Sequence, residues 1–212
     1  MKIVASVFVF LFFSSCMSQR VITTWKAESI TAEKYKKILV VAILPEADSL
    51  LRQRIEAGFV QSLTILDYQA VSAIDEFGQR GLSDSIHENT FLKLCNNGID
   101  AVMTVALLPK SKESWYKIIK GYEQPNRYYY DRVWNYKTLQ SDSVNMSNPN
   151  TVYFCENILF DLSNLEAIYS TRTRTFAQSE RINYDVTLPA AILKKMTRDK
   201  ILLQRTVTKK AF

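Results

Sequence analysis

Groups able to do chemistry are few in this chain and scattered along it. Three cysteines are present, Cys16, Cys95 and Cys155, and a single histidine, His87. No CxxC or HxxxH spacing occurs, so a zinc-type ligand set is not expected, and no cofactor is expected either. Glu46 and Asp48 follow the apolar run Lys37–Leu44. That is the place where an open α/β sheet often holds a ligand, and two carboxylates there could bind a cation or exchange protons. Acids in a first helical turn are also ordinary partners of unpaired backbone N–H groups, and the absence of glycine there argues against a phosphate-binding turn. His87 has Glu88 beside it and Asp84 nearby, but adjacent helical positions point in different directions and form no dyad. Neither a GxSxG elbow nor an SxxK pair is found. The expectation is a protein that is not an enzyme.

The strongest signal is at the N-terminus. Met1-Lys2 precedes an apolar run from Ile3 to Phe13, well short of the roughly 20 residues of a membrane-spanning helix, and Ser14-Ser15 then lead into Cys16. This order resembles the bacterial lipobox, with Phe13 where leucine is commonest. The resemblance implies that residues 1–15 are a signal peptide and that Cys16 is lipidated and becomes the first residue of the mature protein. Met17-Ser18-Gln19-Arg20 lack the acidic cluster that resembles a surface-export signal in Bacteroidetes lipoproteins. The implied location is the outer membrane, lipid-anchored and facing the periplasm. Residues 16–24 are then expected to be a lipidated tether and 25–212 a single domain. The periplasm would permit a disulfide between Cys95 and Cys155. We expect instead two separate, mostly buried thiols.

Five glycines, five prolines and no repeat suit one folded unit. The formal charge is +6, and Lys194, Lys195, Arg198, Lys200, Arg205, Lys209 and Lys210 against Asp199 account for all of it. These cations could meet an anionic lipid surface or act as partners of a helix C-terminus. Nucleic acid is not expected, because an exported protein does not meet it.

The elements that must carry these residues read as α/β. Lys37–Leu44 is a continuous β-branched run, expected to be a strand covered on both faces. Ala47–Leu66 places Leu51, Ile55, Phe59 and Leu63 on one helix face. A strand is expected at Gln69–Ile74, then a helix at Ser85–Asn96 with Ile86, Phe91, Leu94 and Cys95 inward and Gly98 as its cap, then a strand at Ala101–Leu108. Val152, Phe154, Ile158, Phe160 and Leu162 share a strand face interrupted by Glu156. A turn at Ser163-Asn164 leads into a second strand reaching Phe176, in which Thr171, Thr173 and Thr175 alternate with Arg172 and Arg174, so that one side is expected to be solvated or to face a partner. The last helix starts at Thr187, with Pro189 in its first turn and Leu188, Ile192 and Met196 as its apolar stripe.

The expected fold class is therefore α/β: a β-α-β-α-β core, a β-hairpin and a C-terminal helix, with helices packed on a mixed sheet. The strand KILVVAILP followed by a helix, the segment GIDAVMTVALL and the hairpin FDLSNLEAIYSTRTRTF together resemble the compact domain of bacterial envelope lipoproteins. These are of the curli-secretion type, the activators of penicillin-binding proteins and small Bacteroidetes-type lipoproteins. The resemblance implies a fold and a cellular setting, not a molecular role.

Between the third strand and the hairpin lies the one unusual composition: Trp115, Tyr116, Tyr122, Tyr128, Tyr129, Tyr130, Trp134 and Tyr136, interleaved with Lys117, Lys120, Arg127, Arg132 and Lys137. Rings spaced by cations could form a surface for a protein partner, for the faces of a cell-wall glycan or for a lipid interface. They could equally pack as a flap on the sheet. The candidate partner-binding residues are Trp115, Tyr122, Tyr128, Tyr129, Tyr130, Trp134 and Tyr136. The expected partners are the membrane, through Cys16, and an envelope protein or a cell-wall glycan.

Overall fold

The computed structural model of the chain describes residues 21–28, 35–44, 49–78, 88–109, 152–176 and 187–203. They form one mixed six-stranded sheet carrying four helices. In chain order the elements are β1 (Val21–Lys26), β2 (Lys37–Ile43), α1 (Ser49–Ile65), β3 (Gln69–Ser72), α2 (Ala73–Phe77), α3 (Glu88–Asn96), β4 (Ala101–Pro109), β5 (Val152–Asp161), β6 (Glu166–Phe176) and α4 (Thr187–Arg198). The strand order is β1-β6-β5-β4-β2-β3. The α/β class, the core, the hairpin and the final helix are those the sequence predicts.

β2 lies between β3 and β4 and is parallel to both. The chain leaves β2 toward β3 through α1 and crosses to β4 through α2 and α3. Because parallel crossovers share one hand, moving outward in opposite directions puts their helices on opposite faces. This is why β2 is apolar at every position from Ile38 to Ile43: Ile38, Val40 and Ala42 join α1 and α4 in one core, and Leu39, Val41 and Ile43 join α2 and α3 in the other. In the first core, Ile55, Phe59 and Leu63 of α1 meet Leu188, Ile192, Leu193 and Met196 of α4 across the sheet side chains. Each such side chain, fully buried, is worth about 1.5–3 kcal/mol.

Two boundaries differ from expectation, and one agrees with it. β3 stops at Ser72, whose hydroxyl accepts from the Asp75 N–H at 3.0 Å and so starts α2 where a longer strand was expected. Gly98 (φ +68) closes α3, its N–H donating to the Cys95 carbonyl at 2.9 Å, as a glycine cap should. Most consequentially, β1 begins inside the stretch read as tether, pairing antiparallel with β6 from Val21↔Thr173 to Lys26↔Tyr169. Val21–Thr24, read as tether, are therefore part of the sheet.

Of the two expectations for β6, a side that is solvated or one that faces a partner, solvation does not hold at Thr171–Thr173. β6 lies between β1 and β5, and Thr171, Arg172 and Thr173 are all buried. Thr171 and Thr173 on one face and Arg172 on the other are thus covered, and β5 neutralises the Arg172 charge through Glu156.

Candidate functional site

Cys16, Glu46, Asp48, His87, Ile86 and the whole aromatic stretch from Trp115 to Tyr136 lie outside the described residues. The described strands nevertheless fix where those stretches join the fold. In register, Ile43 stands beside Ala106, Pro109 beside Tyr153, Val152 beside Phe176, and Val21 beside Thr173. The start of β1, the ends of β2, β4 and β6 and the start of β5 thus occupy one end of the sheet. Residues 1–20, 45–48, 110–151 and 177–186 all enter or leave there. This end also contains the switch point between β2 and β4, where the chain turns to opposite sides and an open α/β sheet has its ligand crevice. The other end carries the Leu162–Leu165 turn, the loops before β3 and β4, and the exit from α4.

Two buried carboxylates lie beneath the switch-point end. Glu156 of β5 stands opposite Arg172 of β6, and Arg172 Nη2 donates to Glu156 Oε1 at 2.9 Å with both side chains under one-tenth exposed. The acid that interrupts the apolar face of β5 is thereby explained by its cross-strand partner. On the opposite face, Asn157 Nδ2 donates to Thr171 Oγ1 at 3.4 Å, beside the buried Cys155 thiol.

Sequence reasoning missed the second carboxylate, Glu56. It sits three residues before Phe59 and seven before Leu63, hence on the inward stripe of α1, and that spacing was the signal available. Where the ladder with β3 has ended at Val40↔Ser72, Glu56 Oε1 accepts from the Ala42 N–H at 3.0 Å, and Oε2 accepts from the Ile74 N–H in α2, also at 3.0 Å. Burial raises its pKa above the ordinary 4.5; the two backbone N–H groups, the Arg52 charge and the Ser72 hydroxyl pull the other way without overcoming it. Glu56 therefore substitutes for a missing stretch of strand.

Polar groups at the far end serve the turns. The Asp100 carboxylate accepts from the Lys36 and Lys37 N–H groups at 2.6 and 3.1 Å, fixing the entry to β2. The Leu203 N–H donates to Tyr68 Oη at 2.8 Å, so the basic tail departs from this end. Tyr169 Oη donates to Asp199 Oδ2 at 2.6 Å, and Lys195 Nζ also donates to Asp199. Burial alone would raise the Asp199 carboxyl, but the hydrogen bonds from Lys195 and Tyr169, with the charges of Lys195 and Arg198, hold it below its ordinary 3.8. Burial, with the Asp199 carboxylate beside it, pushes the Tyr169 phenol up. An open groove beside edge strand β3 is lined by Lys36, Lys37, Thr64, Asp67, Tyr68 and Gln69.

Neither cysteine is in a disulfide; Cys155 is buried, as expected, but Cys95 is exposed. Leu94 takes the inward position of α3, and Cys95, about 100° further round the helix, faces out. Among the described residues no group of three or more His, Cys, Asp or Glu could hold a metal ion, and no helix is long and apolar enough to cross a membrane.

No family model matches the chain, and no curated protein matches it. Among solved structures it is similar to the PelC dodecamer from Paraburkholderia phytofirmans, with TM-score 0.43 and 10% identity over 86% of this chain and 97% of that one. A single-substitution variant of that dodecamer gives TM-score 0.42 and 10% identity over 84% and 98%. Lipoprotein GNA1162 from Neisseria meningitidis gives TM-score 0.38 and 14% identity over 77% and 99%.

Proposed function

We propose that this chain is a lipid-anchored protein of the outer membrane, facing the periplasm, that acts by non-catalytic contact with another envelope component as an accessory or assembly factor. The observation that carries this reading is Cys16 directly behind Phe13-Ser14-Ser15 at the close of a short apolar run. Metabolic labelling with a fatty acid tests it: label should enter the wild type and be lost in Cys16→Ser, and equal incorporation in both would sink the anchor.

The non-catalytic part is supported by what the described acids do. Glu56 holds two backbone N–H groups, Glu156 holds Arg172, Asp100 fixes the entry to β2, and Asp199 ties α4 to β6. Each is committed to building the fold. The contact surface we assign to Trp115–Tyr136, because its rings and cations alternate in a connection leaving the switch-point end. A second reading uses the same rings to stack on peptidoglycan or another glycan.

One variant with Tyr128, Tyr130 and Trp134 all replaced by alanine tests the surface. Its thermal transition should stay within a few degrees of the parent, while crosslinking in cells loses a defined protein partner. Loss of retention on purified cell-wall polymer instead would favour the glycan reading. Unfolding of the variant would make these rings core and remove the surface altogether.

A further inference from the structure

Resting on the lipid-anchor reading, we propose that the domain stands on the membrane by its switch-point end, with the first turn of α1 against the lipid surface and the far end directed into the periplasm. The register fixes the geometry. Val21 pairs with Thr173 near the end of β6, and four residues separate it from Cys16, so that the five steps span at most about 18 Å when fully extended. From Thr173 down β6 to Glu166 is roughly 23 Å of strand. Resting the domain on its far end would lift Val21 further from the bilayer than the tether reaches. The inverted orientation is therefore excluded.

Within the permitted orientations, α1 supplies the contact. It begins at the switch-point end, directly after the connection from β2, and its second residue, Leu50, is 61% exposed. An apolar side chain left in water at the end held near an acyl anchor gains by entering the headgroup boundary. Ile65, at the other end of the same helix and 74% exposed, lies roughly 22 Å away along the axis and provides an internal reference.

The experiment uses the lipidated mature chain with Cys95→Ser, since Cys155 is buried, and a single fluorophore-labelled cysteine at Leu50→Cys or Ile65→Cys. The protein is placed in phosphatidylethanolamine–phosphatidylglycerol vesicles containing lipids with a nitroxide on the headgroup. Quenching at Leu50→Cys should exceed that at Ile65→Cys several-fold. A Gly-Ser spacer of about twenty residues inserted after Gln19, with a coil dimension of ~25 Å, should erase the difference without affecting flotation. Equal or reversed quenching in protein that floats with the vesicles overturns the orientation alone, and a bias that survives the spacer overturns the tether argument. Failure of the unmodified chain to float overturns the anchor itself, and the orientation with it.

Discussion

Glu56 and Glu156, toward the switch-point end of the sheet, are 1% and 6% exposed, whereas Asp100 and Asp199 at the other end keep contact with water. All four are fully engaged, but under different physics. A buried carboxylate has surrendered its hydration and depends on the groups that replace it; a half-wet one can recover much of its hydration from solvent when a partner is lost. The end where the chain's long connections emerge is thus built on charges that cannot be disturbed cheaply. The end with short turns is closed by replaceable caps. The described frame at this end is held by internal pairing.

Removing Arg172 should have the largest effect. Arg172→Met leaves Glu156 buried without its ion-pair partner and should destabilise the domain by about 3–5 kcal/mol in urea unfolding; adding Glu156→Leu should restore much of that loss, because the uncompensated charge is then gone. A double variant as unstable as the single one would show that the site serves packing and not charge.

Next comes Glu56→Ala, which strands the Ala42 and Ile74 N–H groups in the interior at a cost of about 1–3 kcal/mol each. Glu56→Gln tests the charge. Since the folded carboxyl keeps its proton to a higher pH than the unfolded one, the native state binds more protons above about pH 4.5, and stability falls there as pH rises. The wild type should therefore lose stability relative to Glu56→Gln from pH 4.5 upward; a constant difference across that range would refute the burial argument.

At the far end Tyr169→Phe should cost less, about 1.5 kcal/mol, the value of one hydrogen bond to a charged acceptor with water able to replace it. The sign of its pH dependence is opposite to that of Glu56. Asp199 is held ionised below its ordinary 3.8, so its contribution is present above that pH and disappears as the solution is acidified, and the Tyr169→Phe penalty should shrink on acidification. A penalty as large as that of Arg172→Met would erase the contrast between the ends. Smallest of all, Cys95→Ser should change stability by less than about 0.5 kcal/mol, and a maleimide should label Cys95 in the native protein but Cys155 only after unfolding.

Local pattern was enough for most of the frame. The β-branched run of β2 requires burial on both sides wherever it is placed, the four-residue spacing of Ile55, Phe59 and Leu63 defines a helix face without a partner, and Gly98 ends a helix by its own conformational freedom. Cys16 and the aromatic stretch stand out by composition in order along the chain, and both lie outside the described residues.

Relations between distant segments were not legible. Nothing near Val21 says that it pairs with Thr173, so the first four residues of β1 looked like tether; β6, given that neighbour, became interior to the sheet and its Arg172 a buried charge. Glu56 became structural only because β3 ends early and leaves the Ala42 N–H to be satisfied. Cys95 faces out because one turn of α3 has a single inward slot there and Leu94 fills it. The sequence by itself determined which segments are strands and helices and which faces are apolar, since those follow from backbone geometry and hydration over a few residues. Only the tertiary structure decided which polar groups are buried together and which connections share an end of the sheet, because strand pairing brings together groups that no local periodicity relates.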